Sequence, residues 1–148
     1  MIVHGIAPFL ECSSRGDSRF SAFSARIRAR GNKSVEEIYQ AAKEFEDGRT
    51  GLTWREAKGR RATNMAEVSA LYATLWSDYM RENPQLLPVL LQAGGLKDMF
   101  GQPGHCCQAT ELWRIRCEAL GIEPFPKQPA AAPAAGSNPA RSLFGDTD

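Results

Sequence analysis

The chain has 148 residues, of which 43% are apolar, 24% charged and 9% aromatic, and 18 basic against 17 acidic residues leave a formal charge of +1. These values describe one globular domain and exclude the strongly basic field of a general nucleic-acid binder, while leaving room for a local patch. No run approaches the ~18 apolar residues that cross a bilayer. Met1–Pro8 lacks the basic and continuous apolar regions of a signal peptide, and four cysteines in a chain of this length make no disulfide framework. The expectation is a cytoplasmic, reduced protein with no membrane segment.

The first thirty residues read as extended or irregular. Phe23, Ala25, Ile27 and Ala29 alternate with Ser24, Arg26, Arg28 and Arg30, the period of a half-buried strand, and Gly31-Asn32 marks a turn. Ser34-Val35-Glu36-Glu37 is a capping box, followed by Val35, Ile38, Tyr39, Ala42 and Phe45 at helical spacing. Thr53-Trp54-Arg55-Glu56 repeats the capping pattern and predicts a short basic helix through Arg61. Asn64 opens a longer helix with Met65, Val68, Leu71, Tyr72, Leu75, Trp76 and Tyr79 on one face, ended by Asn83-Pro84. A short buried helix over Leu86–Leu91 stops at Gly94-Gly95, and a last helix spans about Gln108–Leu120 before Gly121. The fold class is α+β: a helix-dominated domain over 1–123 with a small N-terminal β element. Pro124, Pro126, Pro129, Pro133 and Pro139 surround an alanine run, predicting a disordered Pro/Ala-rich tail over 124–148.

Metal chemistry is not expected. Cys12, His105, Cys106, Cys107 and Cys117 contain no C-x-x-C pair, and adjacent cysteines are awkward ligands for one tetrahedral ion; they read as small buried apolar groups. More informative is the first helix, where Glu36, Tyr39, Gln40 and Lys43 fall at i, i+3, i+4 and i+7 on one face. That is either a solvated stripe or a polar site. Phe100-Gly101-Gln102-Pro103-Gly104 is a glycine-rich loop before a helix, a place where backbone N–H groups hold phosphate.

In order, these pieces resemble the NADAR family, domains of NAD and ADP-ribose metabolism. The residues that carry the likeness are Phe20-Ser21-Ala22-Phe23, Ser34-Val35-Glu36 with Gln40-Ala41-Ala42-Lys43, and Glu56-Ala57-Lys58-Gly59-Arg60. Leu75-Trp76, Asn83-Pro84-Gln85-Leu86-Leu87, the Phe100–Gly104 loop and Leu112-Trp113-Arg114-Ile115-Arg116 complete it. The likeness covers about residues 20–116. It departs where Glu37 stands for the family's usual His, where the Lys-Gly-Arg segment is a residue or so shorter, and where Phe100 stands for Trp. The resemblance implies an N-glycosidase that cleaves the bond between ribose and a base or amine, for example removing ADP-ribose from guanine in nucleic acid, with no cofactor. On that reading Glu36 and Lys43 are catalytic, the carboxylate supporting charge at C1 and the amine attacking it. Arg60 and the Gly101–Gly104 loop cradle a diphosphate, and Phe20, Phe23 and Trp76 stack on a base. Ser21, Tyr39, Gln40, Lys58 and Phe100 complete the substrate site. The partner is then an ADP-ribose-like nucleotide or ADP-ribosylated nucleic acid.

Two alternatives belong to other classes. One is a binding module that holds such a nucleotide without turnover, which the Glu37 and Phe100 departures favour. The other is a helical interaction protein contacting nucleic acid through Arg26, Arg28, Arg30, Lys58, Arg60 and Arg61. In the tail, Leu143-Phe144 resembles a docking peptide of the bacterial sliding-clamp kind, with Ala140 in the place of the usual upstream Gln.

Overall fold

The computed structural model describes residues 1–126. The rest of the Pro/Ala-rich stretch, with Leu143-Phe144, lies outside the described residues. The fold is α+β and helix-dominated. Strands β1 (Ile2–Gly5) and β2 (Phe9–Glu11) flank β5 (Gly95–Asp98) in a three-stranded sheet, β1 antiparallel and β2 parallel to the centre. A two-residue ribbon pairs β3 (Arg26–Ile27) with β4 (Lys33–Ser34). Around these pack α1 (Val35–Ala41), α2 (Trp54–Ala57), α3 (Met65–Glu82), α4 (Leu87–Gln92) and α5 (Gln108–Leu120). No helix among the described residues is long and apolar enough to cross a membrane.

The core lies where α3 and α5 meet the sheet and α1, with Val35, Val68, Leu75, Trp76, Leu90, Leu96 and Leu112 all but sealed from solvent. Both predicted capping boxes form: Ser34 Oγ accepts from Glu37 N while Glu37 Oε1 accepts from Ser34 N, and Thr53 and Glu56 repeat the exchange. The central strand β5 had no sequence signal, because Gly94-Gly95 reads as a helix stop. Its glycine serves the sheet instead: a Cβ on Gly95 would come within 2.5 Å of the His4 carbonyl oxygen.

Three predicted elements are shorter than their patterns. The alternating stretch 23–29 pairs as a strand only at Arg26–Ile27, because Glu82 reaches across to accept from Arg28 N and Ala29 N at 2.7 and 2.8 Å and bends the chain into a 3-10 turn. Helix α1 stops at Ala41 rather than Phe45, its last carbonyls taken by Gly51 N and the Asn64 side-chain amide. Helix α2 stops at Ala57, and Gly59, with φ of +79°, turns Lys58–Arg61 into a loop.

Past the expected boundary at residue 123, Trp113 Nε1 donates to the Pro124 carbonyl at 3.0 Å and Phe125 packs on His4 at 5.5 Å. His4 also stacks on Trp113 and shares a hydrogen bond with Thr110 Oγ1 at 2.9 Å. Burial lowers the His4 pKa from its ordinary 6.5, so its neutral form belongs to the folded state. The unfolded chain then binds the extra proton first, and stability is complete above about pH 6.5 and declines as pH falls below it. Thermal melts of the wild type and His4→Gln should differ by a constant amount above pH 7. The wild type should lose more stability than the variant between pH 6.5 and 5; parallel curves would remove His4 from the acid response.

Candidate active site

Lys43 is the residue that α1 delivers by ending early. Leaving the helix after Ala42, it turns inward and is only 4% exposed. Its Nζ donates to the Arg60 carbonyl at 3.1 Å and the Ala57 carbonyl at 3.4 Å, and lies 5.3 Å from the centre of the Tyr39 ring. One and two turns back on α1, Gln40 and Glu36 are 4% and 8% exposed, with Gln40 Nε2 donating to Glu36 Oε2 at 2.7 Å. Because the carboxylate requires a donor, this bond fixes the orientation of the amide, and Gln40 Oε1 is left buried with no partner. A buried, unsatisfied acceptor costs about 1–3 kcal/mol, which a hydroxyl or N–H of a bound molecule would offset.

These side chains line one cleft of about 650 Å³, within the range that takes a nucleotide-sized ligand. Of the candidate residues, the cleft gathers Glu36, Lys43, Ser21, Phe23, Tyr39, Gln40, Lys58, Arg60, Phe100, Gly101 and Gly104. It does not gather Phe20 and Trp76. Both are fully buried core residues, and a ring with no exposed face cannot stack on a base; Trp76 is enclosed edge-to-face between Tyr72 and Tyr79. Phe23 is the aromatic that does present a face, at 43% exposure, with Lys58 Nζ 5.1 Å from its centre. Gly101 is a cleft residue whose lack of a side chain serves packing, since a Cβ there would meet Ile2 Cγ1 at 2.6 Å.

Burial lowers the Lys43 pKa, with the Lys58 charge adding to the fall, while Glu36 and Cys106 oppose it. Tyr39 moves the other way: burial first, then a hydrogen bond with Cys106, hold the phenol protonated. The floor is thus a carboxylate, an unpaired amide oxygen and an amine biased toward its neutral, nucleophilic form. The rim carries Lys58 and Arg61, whose side chains make no ion pair or hydrogen bond among the described residues, and Arg60, whose guanidinium lies 4.2 Å above the Phe45 ring.

Ser13, Ser14, Tyr72, Asp98 and Gln108, which sequence reasoning did not place in the site, also line the cleft, as do His105 and Cys106, which it set aside as metal ligands. Asp98 and Gln108 are its hidden frame. Gln108 Oε1 accepts from Ala22 N at 2.7 Å, and its Nε2 donates to the Cys12 carbonyl at 2.7 Å and Asp98 Oδ2 at 3.1 Å. Asp98 Oδ1 in turn accepts from Phe100 N at 2.9 Å. Cys12, Cys107 and Cys117 are buried, as their small-apolar reading requires, whereas Cys106 reaches the cleft wall. Among the described residues no three His, Cys, Asp or Glu side chains come together as metal ligands. No family model and no curated protein matches the chain.

Proposed function

We propose that the chain is an N-glycosidase that splits the bond between the ribose of an ADP-ribose-like nucleotide and a base or amine. The observation that carries this reading is the buried Lys43 amine set beside the Glu36–Gln40 pair at the floor of a cation-rimmed cleft. Breaking an N-glycosidic bond leaves positive charge on the ribose C1 and negative charge on the base. Neutral Lys43 attacks C1 as the bond to the base breaks, and the base departs with the bonding pair. The proton lost by the amine passes to the base, with Glu36 as carrier. The sugar ring then opens, its oxygen taking up a proton while the lysine nitrogen and C1 form an iminium. Water adds to that iminium, releasing the sugar and restoring the amine.

Other features support the same reading. The free Gln40 Oε1 and the Glu36 carboxylate are two adjacent acceptors, a match for the vicinal hydroxyls of a ribose. Lys58 and Arg61 are cleft cations of the kind that pair with a diphosphate. The motif order resembles that of NADAR proteins, and the resemblance implies the same roles for Glu36 and Lys43.

The test is incubation with guanine-ADP-ribosylated single-stranded DNA, reading free ADP-ribose by mass spectrometry. Release that disappears in both Lys43→Ala and Glu36→Ala is the expected result. Saturable ADP-ribose binding without release, measured by calorimetry, would replace the enzyme with a binding module; neither release nor binding would overturn both.

A further inference from the structure

A second cleft, of about 930 Å³, runs between α1 and the start of α2. Ile38, Ala41 and Ala42 line it from α1 and its end, and Leu52 and Trp54 line it from the α2 side. All five are only partly buried, so the groove leaves apolar surface in contact with water. Its charge is unbalanced. Arg30, Lys33 and Arg55 are the cations of the lining, and Glu37 is its one carboxylate. Glu37 is matched by Arg26 at 3.7 Å and Arg30 by Asp78 at 3.2 Å, whereas Lys33 and Arg55 have no ion pair among the described residues.

Such a groove calls for a ligand that joins apolar side chains to carboxylates. The first cleft suits that ligand less, because its buried wall already holds the Glu36 and Asp98 carboxylates. The sequence itself carries a segment of this kind. After Phe125 the only large apolar side chains are Leu143 and Phe144, and the only acidic ones are Asp146 and Asp148.

We propose that residues 143–148 dock in the second cleft of their own chain. Leu143 and Phe144 take the apolar walls, with Phe144 against the Trp54 ring, whose other aromatic neighbour is Phe23 at 5.2 Å. Asp146 and Asp148 meet Lys33 and Arg55, the two unmatched cations. The connection reaches: an extended chain the length of residues 127–142 spans about 55 Å, against a radius of gyration of about 14 Å for a domain of the described size. Tethering also makes a weak contact sufficient, because a segment linked over this length meets its own domain at about millimolar concentration. The contact needs no chemistry in the first cleft, so it stands or falls apart from the glycosidase reading.

The experiment is fluorescence anisotropy of a labelled peptide with the sequence of residues 141–148, titrated with the full chain as wild type and as Leu143→Ala with Phe144→Ala. The double variant should bind the peptide. The wild type, whose own segment competes, should bind it more weakly, by about 10-fold where the peptide's dissociation constant is about 0.1 mM and the local concentration about 1 mM. In the double-variant chain, Trp54→Ala should weaken binding by about 2- to 13-fold, the worth of one aromatic pair, and Trp54→Phe should restore most of it. Lys33→Glu with Arg55→Glu should weaken it at least about 2-fold, the lower end for two exposed ion pairs. Both residues are exposed, so their reversal leaves the fold in place. A peptide carrying Asp146→Lys and Asp148→Lys should recover the loss. No binding up to about 1 mM protein, equal binding by the wild type and the double variant, or indifference to the charge exchange would overturn the proposal. So would competition that strengthens with wild-type concentration, since that puts the segment on a neighbouring copy.

Discussion

Lys43→Ala should lower sugar release on the order of 10³-fold or more, as loss of a covalent nucleophile does, while the protein melts close to the wild type. The fold tolerates the change because the Ala57 carbonyl also accepts from Arg60 N at 3.1 Å and Arg60 is an exposed residue whose carbonyl water can reach. Borohydride added during turnover should reduce the iminium and leave the sugar on Lys43, visible as a mass increase on the peptide that carries it. The pH profile adds a readout with a fixed sign. Attack needs the neutral amine, so rate rises with pH through the Lys43 pKa, which burial has lowered. Lys58 lowers it further, and so Lys58→Met should move the rising limb to higher pH. An unmoved limb would mean that a group other than Lys43 titrates in catalysis; retained activity in Lys43→Ala would remove the residue from the chemistry.

The parts of this site legible in the sequence are those encoded within one element. Ser34 and Thr53 announce α1 and α2 because a capping box closes over four residues, and the i, i+3, i+4 spacing places Glu36, Tyr39 and Gln40 on one face whatever the rest of the chain does. Spacing does not say how deep a residue sits. Tyr72 and Trp76 lie four apart on the same stripe of α3, yet only Tyr72 reaches the cleft while Trp76 is sealed behind it. Phe20, the last residue of the 3-10 turn Ser18–Phe20, and Phe23, three residues on, divide in the same way. Lys43 reaches the floor by a route that helical periodicity does not describe, since the helix has already ended. The segments around Ser13, Asp98 and Gln108 are remote in sequence and joined only by tertiary hydrogen bonds, so no local pattern announces them.

That joining makes Gln108 the side chain with the largest expected effect on the fold. Gln108→Leu keeps an apolar body of similar size but strands the Ala22 N–H, removes one bond from the Cys12 carbonyl and one from the buried Asp98 carboxylate. An orphaned buried polar group costs about 1–3 kcal/mol, more beside a charge, so a total loss of about 3–5 kcal/mol is expected. That is a large share of the stability of a domain this size. In urea the midpoint should fall with the slope unchanged, since the surface exposed on unfolding is the same. Three cleft segments hang on these bonds: Ser13–Ser14 follow Cys12, Ser21 and Phe23 flank Ala22, and the Phe100–Gly104 loop follows Asp98. Ligand affinity should therefore drop even at temperatures where the variant is fully folded, whereas a variant altered only in stability would bind as the wild type does. Gln108→Glu is the sharper comparison. It retains acceptors for Ala22 N but faces the Cys12 carbonyl and the Asp98 carboxylate with a second acceptor, so it should be less stable than the wild type. A Gln108→Leu protein with wild-type midpoint and affinity would show that water replaces the amide at no loss, and that the three segments hold their places without it.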